Sequence, residues 1–136
     1  MTDHWKEIAR STLEAAELDT MTFPESVRLL IDAGFDGYAV DFRRATRIYY
    51  RPDGASMELE TQKTTTPVAE HFDLAAVKGA IRQAQAMAPG YTYKGFCEHV
   101  AKAGCAGYLV SFPGRRVLYV GRTGETHTEY FPQAKQ

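Results

Sequence analysis

Cysteine, net charge and long apolar runs are all scarce in this 136-residue chain, and each scarcity excludes something. Two cysteines, Cys97 and Cys105, are too few for a disulfide framework and suit a reducing compartment as small buried hydrophobes. Charges nearly cancel, with 16 Lys and Arg against 17 Asp and Glu, so no overall field draws nucleic acid or anionic lipid. No apolar run approaches the roughly 18 residues that a bilayer span needs. The opening MTDHWKEIAR has neither the basic start nor the apolar centre of a secretory signal. A glycine-rich loop running from strand into helix, a paired-cysteine zinc pattern and a serine elbow are missing too, which sets aside the commonest enzyme classes. The expectation is a cytoplasmic protein with no cofactor, no bound metal and no membrane contact.

What is present is an internal echo. Residues 22–54 align with residues 92–124 at a constant offset of 70, without a gap. Thr22, Ala33, Gly34, Gly37, Tyr38, Val40, Phe42, Tyr49 and Gly54 recur as Thr92, Ala103, Gly104, Gly107, Tyr108, Val110, Phe112, Tyr119 and Gly124. Between them, replacements keep side-chain character: Phe23 for Tyr93, Val27 for Cys97, Leu30 for Val100, Ile48 for Leu118. A long period that occurs only twice argues for one compact domain of two similar halves and against a solenoid. A content of 44% hydrophobic and 24% charged residues is enough for one such core.

Local patterns fill in the elements. Asp3 can cap a first helix striped by Trp5, Ile8, Ala9, Thr12, Leu13 and Ala16. Thr22 and Glu25 form a capping-box pair around Pro24, and Gly34 stands where a left-handed helix cap is wanted. Tyr38, Val40 and Phe42 alternate with Ala39 and Asp41, as in a half-buried strand. Further strands are expected over about 46–51 and through Ala55, Met57 and Leu59, with Asp53-Gly54 turning between them. Residues 61–72 read as the connector between halves at about 1–60 and 73–131. Asp73 then opens a helix that Pro89-Gly90 stops, and the second copy repeats the plan up to Phe131. The fold class expected is α+β: a two-layer sandwich with four helices on an antiparallel or mixed sheet, built from two ααβββ halves.

The run AKAGCAGYLVSFPGRRVLYVGRTGETHTEYFP, from Ala101 to Pro132, resembles the YdfO-like family of uncharacterised bacterial and phage-associated proteins. The preceding FDLAAVKGAIRQAQAMAPGYTYKGFCEHV is similar to the same family, so the resemblance is strongest from Phe72 onward. It implies a small two-layer α/β domain and no established activity. Some relatives carry the label phage envelope protein. The resemblance supplies no catalytic residues.

Candidate chemistry appears where the two copies diverge. Ala55, Met57 and Leu59 correspond to Glu125, His127 and Glu129, so a strand face apolar in one copy is acid, imidazole, acid in the other. Two carboxylates about a histidine can hold a divalent metal, orient the imidazole as a general base, or simply solubilise an edge strand. Cys97 and His99 lie two apart on a helix and point in different directions, and Cys105 stands where the first copy has Phe35. Pairing Cys105 with His127 as nucleophile and base has no visible geometry behind it. Arg43, Arg44 and Arg47 gather at the first hairpin turn of one half and Arg115 and Arg116 at that of the other, with Tyr49, Tyr50 and Tyr119 nearby, a combination suited to phosphates and stacked bases. The duplicated A-G-x-x-G-Y runs from helix into strand, the wrong order for an anion loop. His4 and His71 have no visible partner.

The sequence therefore points to a non-enzymatic accessory domain binding an unidentified protein or small molecule, as monomer or homodimer. Its expected ligand-facing surface comprises Glu125, His127, Glu129, Tyr119 and Arg122. The first alternative is an enzyme using His127 as general base. The second is a nucleic-acid module using Arg43, Arg44, Arg47, Arg115 and Arg116.

Overall fold

The structure, a computed structural model, describes residues 4–131. The elements run α1 (His4–Glu17), α2 (Phe23–Asp32), β1 (Gly37–Asp41), β2 (Thr46–Tyr50), β3 (Ser56–Glu60), α3 (Leu74–Ala86), α4 (Tyr93–Lys102), β4 (Cys105–Ser111), β5 (Arg116–Gly121) and β6 (Thr126–Tyr130). The expected ααβββ order is thus present twice. The Asp3 cap lies outside the described residues. Of the two sheet types expected, the antiparallel one is found: strands are ordered β3-β2-β1-β4-β5-β6 and every neighbouring pair is antiparallel.

Local signals explain most boundaries. Thr22 accepts the Glu25 N–H and Glu25 returns a bond to the Thr22 N–H at 2.8 Å, closing the capping box of α2. Asp73 and Thr92 cap α3 and α4 through the N–H groups of Ala76 and Gly95. Two boundaries differ from expectation. Helix α3 ends at a left-handed Met87, whose N–H reaches Ala84 and Gln83 carbonyls, so the chain has turned before Pro89. Strand β4 begins at Cys105 and not at Tyr108, because a register shift between Cys105 and Gly107 lets pairing with β5 resume after one extra residue.

The join between halves is β1 against β4, and its register is centred on Ala39 opposite Leu109, with Gly37 facing Ser111 and Asp41 facing Gly107. Each residue of β1 therefore meets its partner across an approximate twofold axis. The crossing is tight: a Cβ on Gly37 would lie 2.2 Å from the Val110 carbonyl oxygen, and one on Gly107 would lie 2.2 Å from that of Val40. Aromatic packing repeats as well. Tyr38 and Tyr49 have ring centroids 5.5 Å apart, as do Tyr108 and Tyr119.

One face of the sheet carries Tyr38, Val40, Tyr49, Tyr108, Val110, Val117 and Tyr119, buried in one cluster with Ala9, Val27, Leu30, Val77, Ile81, Phe96 and Val100 of the helices. Both halves contribute to that cluster, since neither three-stranded sheet alone hides its apolar face. The connector runs beside α4: Glu98 accepts the Thr65 and Thr66 N–H groups at 2.7 and 3.1 Å, and Ala69 donates to the Ala101 carbonyl at 3.1 Å. No helix of the described residues is long and apolar enough to cross a membrane.

Candidate functional site

Strand β6 is one edge of the sheet, and its register with β5 places His127 opposite Tyr119 and Glu129 opposite Val117. Alternation turns both side chains toward the helix layer, at the places that Met57 and Leu59 hold on β3. His127 Nε2 lies 2.6 Å from Glu129 Oε2, with the side chains 16% and 28% exposed. The imidazole stacks on the Tyr119 ring, centroids 6.4 Å apart and planes 25° from parallel. When the imidazole is neutral the carboxylate fixes its tautomer by accepting from Nε2–H, and when it is protonated the two form an ion pair.

Glu125 and Arg122 do not join them. The Glu125 carboxylate precedes the strand and accepts the Thr123 hydroxyl at 2.6 Å. Arg122 Nη1 donates to the Val68 carbonyl at 3.1 Å, across the top of the sheet. The structure thus brings together His127, Glu129 and Tyr119 and leaves the expected acid-imidazole-acid row with one acid. Among the described residues no three His, Cys, Asp or Glu side chains converge to hold a metal ion.

Both thiols are quiet. Burial pushes Cys97 up to about 12 and Cys105 up to about 11. The Cys105 thiol donates to the Gly107 carbonyl at 3.2 Å and so has its bond on its own strand.

Arg47 overturns its expected place at an exposed turn. It is 3% exposed, on the helix-covered side of β2, because it shares the parity of Tyr49. Its guanidinium carbon lies 4.5 Å from the Tyr38 ring centroid and 5.5 Å from that of Tyr93. Nη2 donates to the Tyr93 hydroxyl at 2.7 Å, and that hydroxyl lies 2.7 Å from the Tyr108 hydroxyl. Nε has no partner among the described residues and no carboxylate pairs with the group. Burial raises the pKa values of Tyr93, Tyr108 and Tyr38, so the cage around the cation consists of neutral phenols and π faces. A signal for this was available: the repeat mate of Arg47 is Val117, a core residue.

The basic turns separate in space. The β1–β2 turn with Arg43 and Arg44 and the β4–β5 turn with Arg115 lie at opposite ends of the sheet, because β1 and β4 run antiparallel. Arg51 is spent internally, donating to the Ala33 carbonyl at 2.8 Å and lying 4.6 Å from the Trp5 ring centroid. Arg116 lies 4.7 Å from the ring centroid of Tyr130.

No protein-family model matches the chain, and no curated protein is found to be significantly similar to it.

Proposed function

We propose that this chain is a small, non-enzymatic cytoplasmic accessory domain of the YdfO-like kind that binds an extended segment of another protein along edge strand β6. The supporting observation is the His127–Glu129 pair, set partly buried on an edge strand where the equivalent edge strand has methionine and leucine. An unpaired strand edge offers N–H and C=O groups to a partner, and side chains beside it select which partner. A polar pair in a position built for apolar side chains costs stability, which a binding role explains.

The double variant His127→Met with Glu129→Leu tests this. Restoring the apolar pattern should leave stability unchanged or raise it by about 1 kcal/mol in chemical denaturation. A loss beyond about 2 kcal/mol would show that the pair is structural, and the reading would fail. A second reading, a carboxylate-oriented general base, draws on the 2.6 Å contact itself. Nucleic-acid binding draws less support, since Arg47 is buried and the two basic turns diverge.

A further inference from the structure

The end of the sheet that carries the β1–β2 and β5–β6 turns holds a groove of about 410 Å³. Phe42 and Arg43 line it from the first turn, Thr64 to Val68 from the connector, and Arg122 from the second turn. Its size falls within the range of small-molecule sites. No lining residue is acidic.

The walls are held in place by bonds that leave the groove's own cations available. The Asp41 carboxylate accepts the N–H groups of Arg43 and Arg44 at 2.9 and 3.2 Å, closing the first turn. Glu98 fixes the connector by accepting from Thr65 and Thr66, and hydrogen bonds led by the Thr65 N–H hold its pKa below the usual carboxylate value. The single Nη1 bond to Val68 positions the Arg122 guanidinium at the rim. Arg43 makes no hydrogen bond or ion pair through its guanidinium among the described residues.

The repeat isolates these two arginines as a departure from the common plan. At an offset of 70, Phe42 is matched by Phe112, so a phenylalanine enters the turn at both ends. Arg43 is matched by Pro113 and Arg122 by Pro52. Two cations thus face one groove at this end, and the equivalent turn positions at the far end hold two prolines. Turn chemistry alone does not require that difference.

We infer that this groove binds a small phosphomonoester, with the phosphate between Arg43 and Arg122 and the apolar body of the ester against Phe42, Pro67 and Val68. Two guanidinium groups match a dianion in charge, and their planar forks suit phosphate oxygens. A monocarboxylate would leave one positive charge unmatched. The site lies at the top of the sheet, separate from the His127–Glu129 pair, and stands or falls independently of the reading above.

Titration of the full chain with phenyl phosphate, inorganic phosphate and benzoate, followed by amide NMR at low salt, tests it. Phenyl phosphate should shift amides of the β1–β2 turn and the connector with a Kd of about 1 mM or better, and benzoate should bind about tenfold more weakly. Affinity should fall as pH drops through the phosphate's second pKa, near 6. Arg43→Gln, in an exposed side chain without partners, should weaken phenyl phosphate about tenfold, and Arg115→Gln at the far end should not. Arg122→Gln should weaken it as well, but it also removes the Val68 contact, so Arg43→Gln is decisive. Equal affinity for benzoate, no effect of Arg43→Gln, or no shifts at about 10 mM ligand would each overturn the proposal. Inorganic phosphate binding as tightly as phenyl phosphate would remove the apolar body from it, and with it the claim of an ester ligand.

Discussion

The two halves share a backbone plan and solve the same local problems with different atoms. In the first, the carbonyl of Ala33 at the end of α2 accepts from the Arg51 guanidinium, which also lies beside Gly34 and over Trp5. In the second, the equivalent carbonyl of Ala103 accepts from the Asp73 N–H at 2.7 Å, and Phe72 lies against Gly121, the repeat mate of Arg51. A side chain does at one end what connector backbone does at the other. The core shows the same freedom. Position 47 is a caged arginine where position 117 is valine, and β6 carries histidine and glutamate where β3 carries methionine and leucine. Backbone geometry is what the halves keep in common, and polar groups differ wherever neighbouring rings and hydroxyls can satisfy them.

The largest expected break in this comparison comes from exchanging the core residues. Val117→Arg should cost about 4 kcal/mol or more, or prevent folding, since the hydroxyl that accepts from Arg47 has no counterpart there: the repeat mate of Tyr93 is Phe23. Arg47→Met should fall within about 1–2 kcal/mol of the parent, because a flexible apolar chain, though shorter, replaces a buried cation that lacks a carboxylate. Urea melts of the two variants decide it; a Val117→Arg protein as stable as the parent would mean that the cage is unnecessary. Next come the helix caps. Gly34 and Gly104 have φ of 94° and 97°, so alanine strains both. Alanine at 104 also meets the His71 carbonyl oxygen at 2.1 Å, whereas at 34 it meets the movable Arg51 guanidinium at 3.0 Å. Gly104→Ala should cost about 3 kcal/mol or more and Gly34→Ala about 1 kcal/mol, read from thermal midpoints. The smallest effect would bring the halves closer together. Gly95 occupies the capping-box position held by Glu25 in α2, and Gly95→Glu should add about 0.5–1 kcal/mol if the Thr92 hydroxyl, 3.0 Å from the new Cβ, can yield slightly while still accepting the N–H of residue 95. Equal or lower stability would show that this hydroxyl is locked.

Much of the architecture was legible because it rests on period and punctuation. The constant offset located both sets of strands, and Thr22, Asp73, Thr92, Gly34 and Gly104 marked helix ends through side-chain and φ requirements that act over a few residues. Strand order was not legible, since the β1–β4 pairing is centred on Ala39 and Leu109, far apart along the chain, and depends on two glycines each admitting a carbonyl. Arg47 was misread because charge was weighed above parity; its alternation with Tyr49 and its valine mate pointed inward. At the edge, the period correctly placed His127 and Glu129 on one face. It could not show that Thr123 holds the Glu125 carboxylate within the turn or that Arg122 is drawn to the connector, because the first follows from local turn geometry and the second from a contact between residues 54 positions apart.

The ladder between Ala39 and Leu109 also has a kinetic meaning. Both three-stranded units are meanders of adjacent hairpins that close over short stretches of chain, whereas their mutual docking must bring together segments far apart along the polypeptide. Loop-closure entropy makes that docking the costly event. The contacts of this molecule that are slowest to form are therefore expected at its central seam, where distant segments must find a common register.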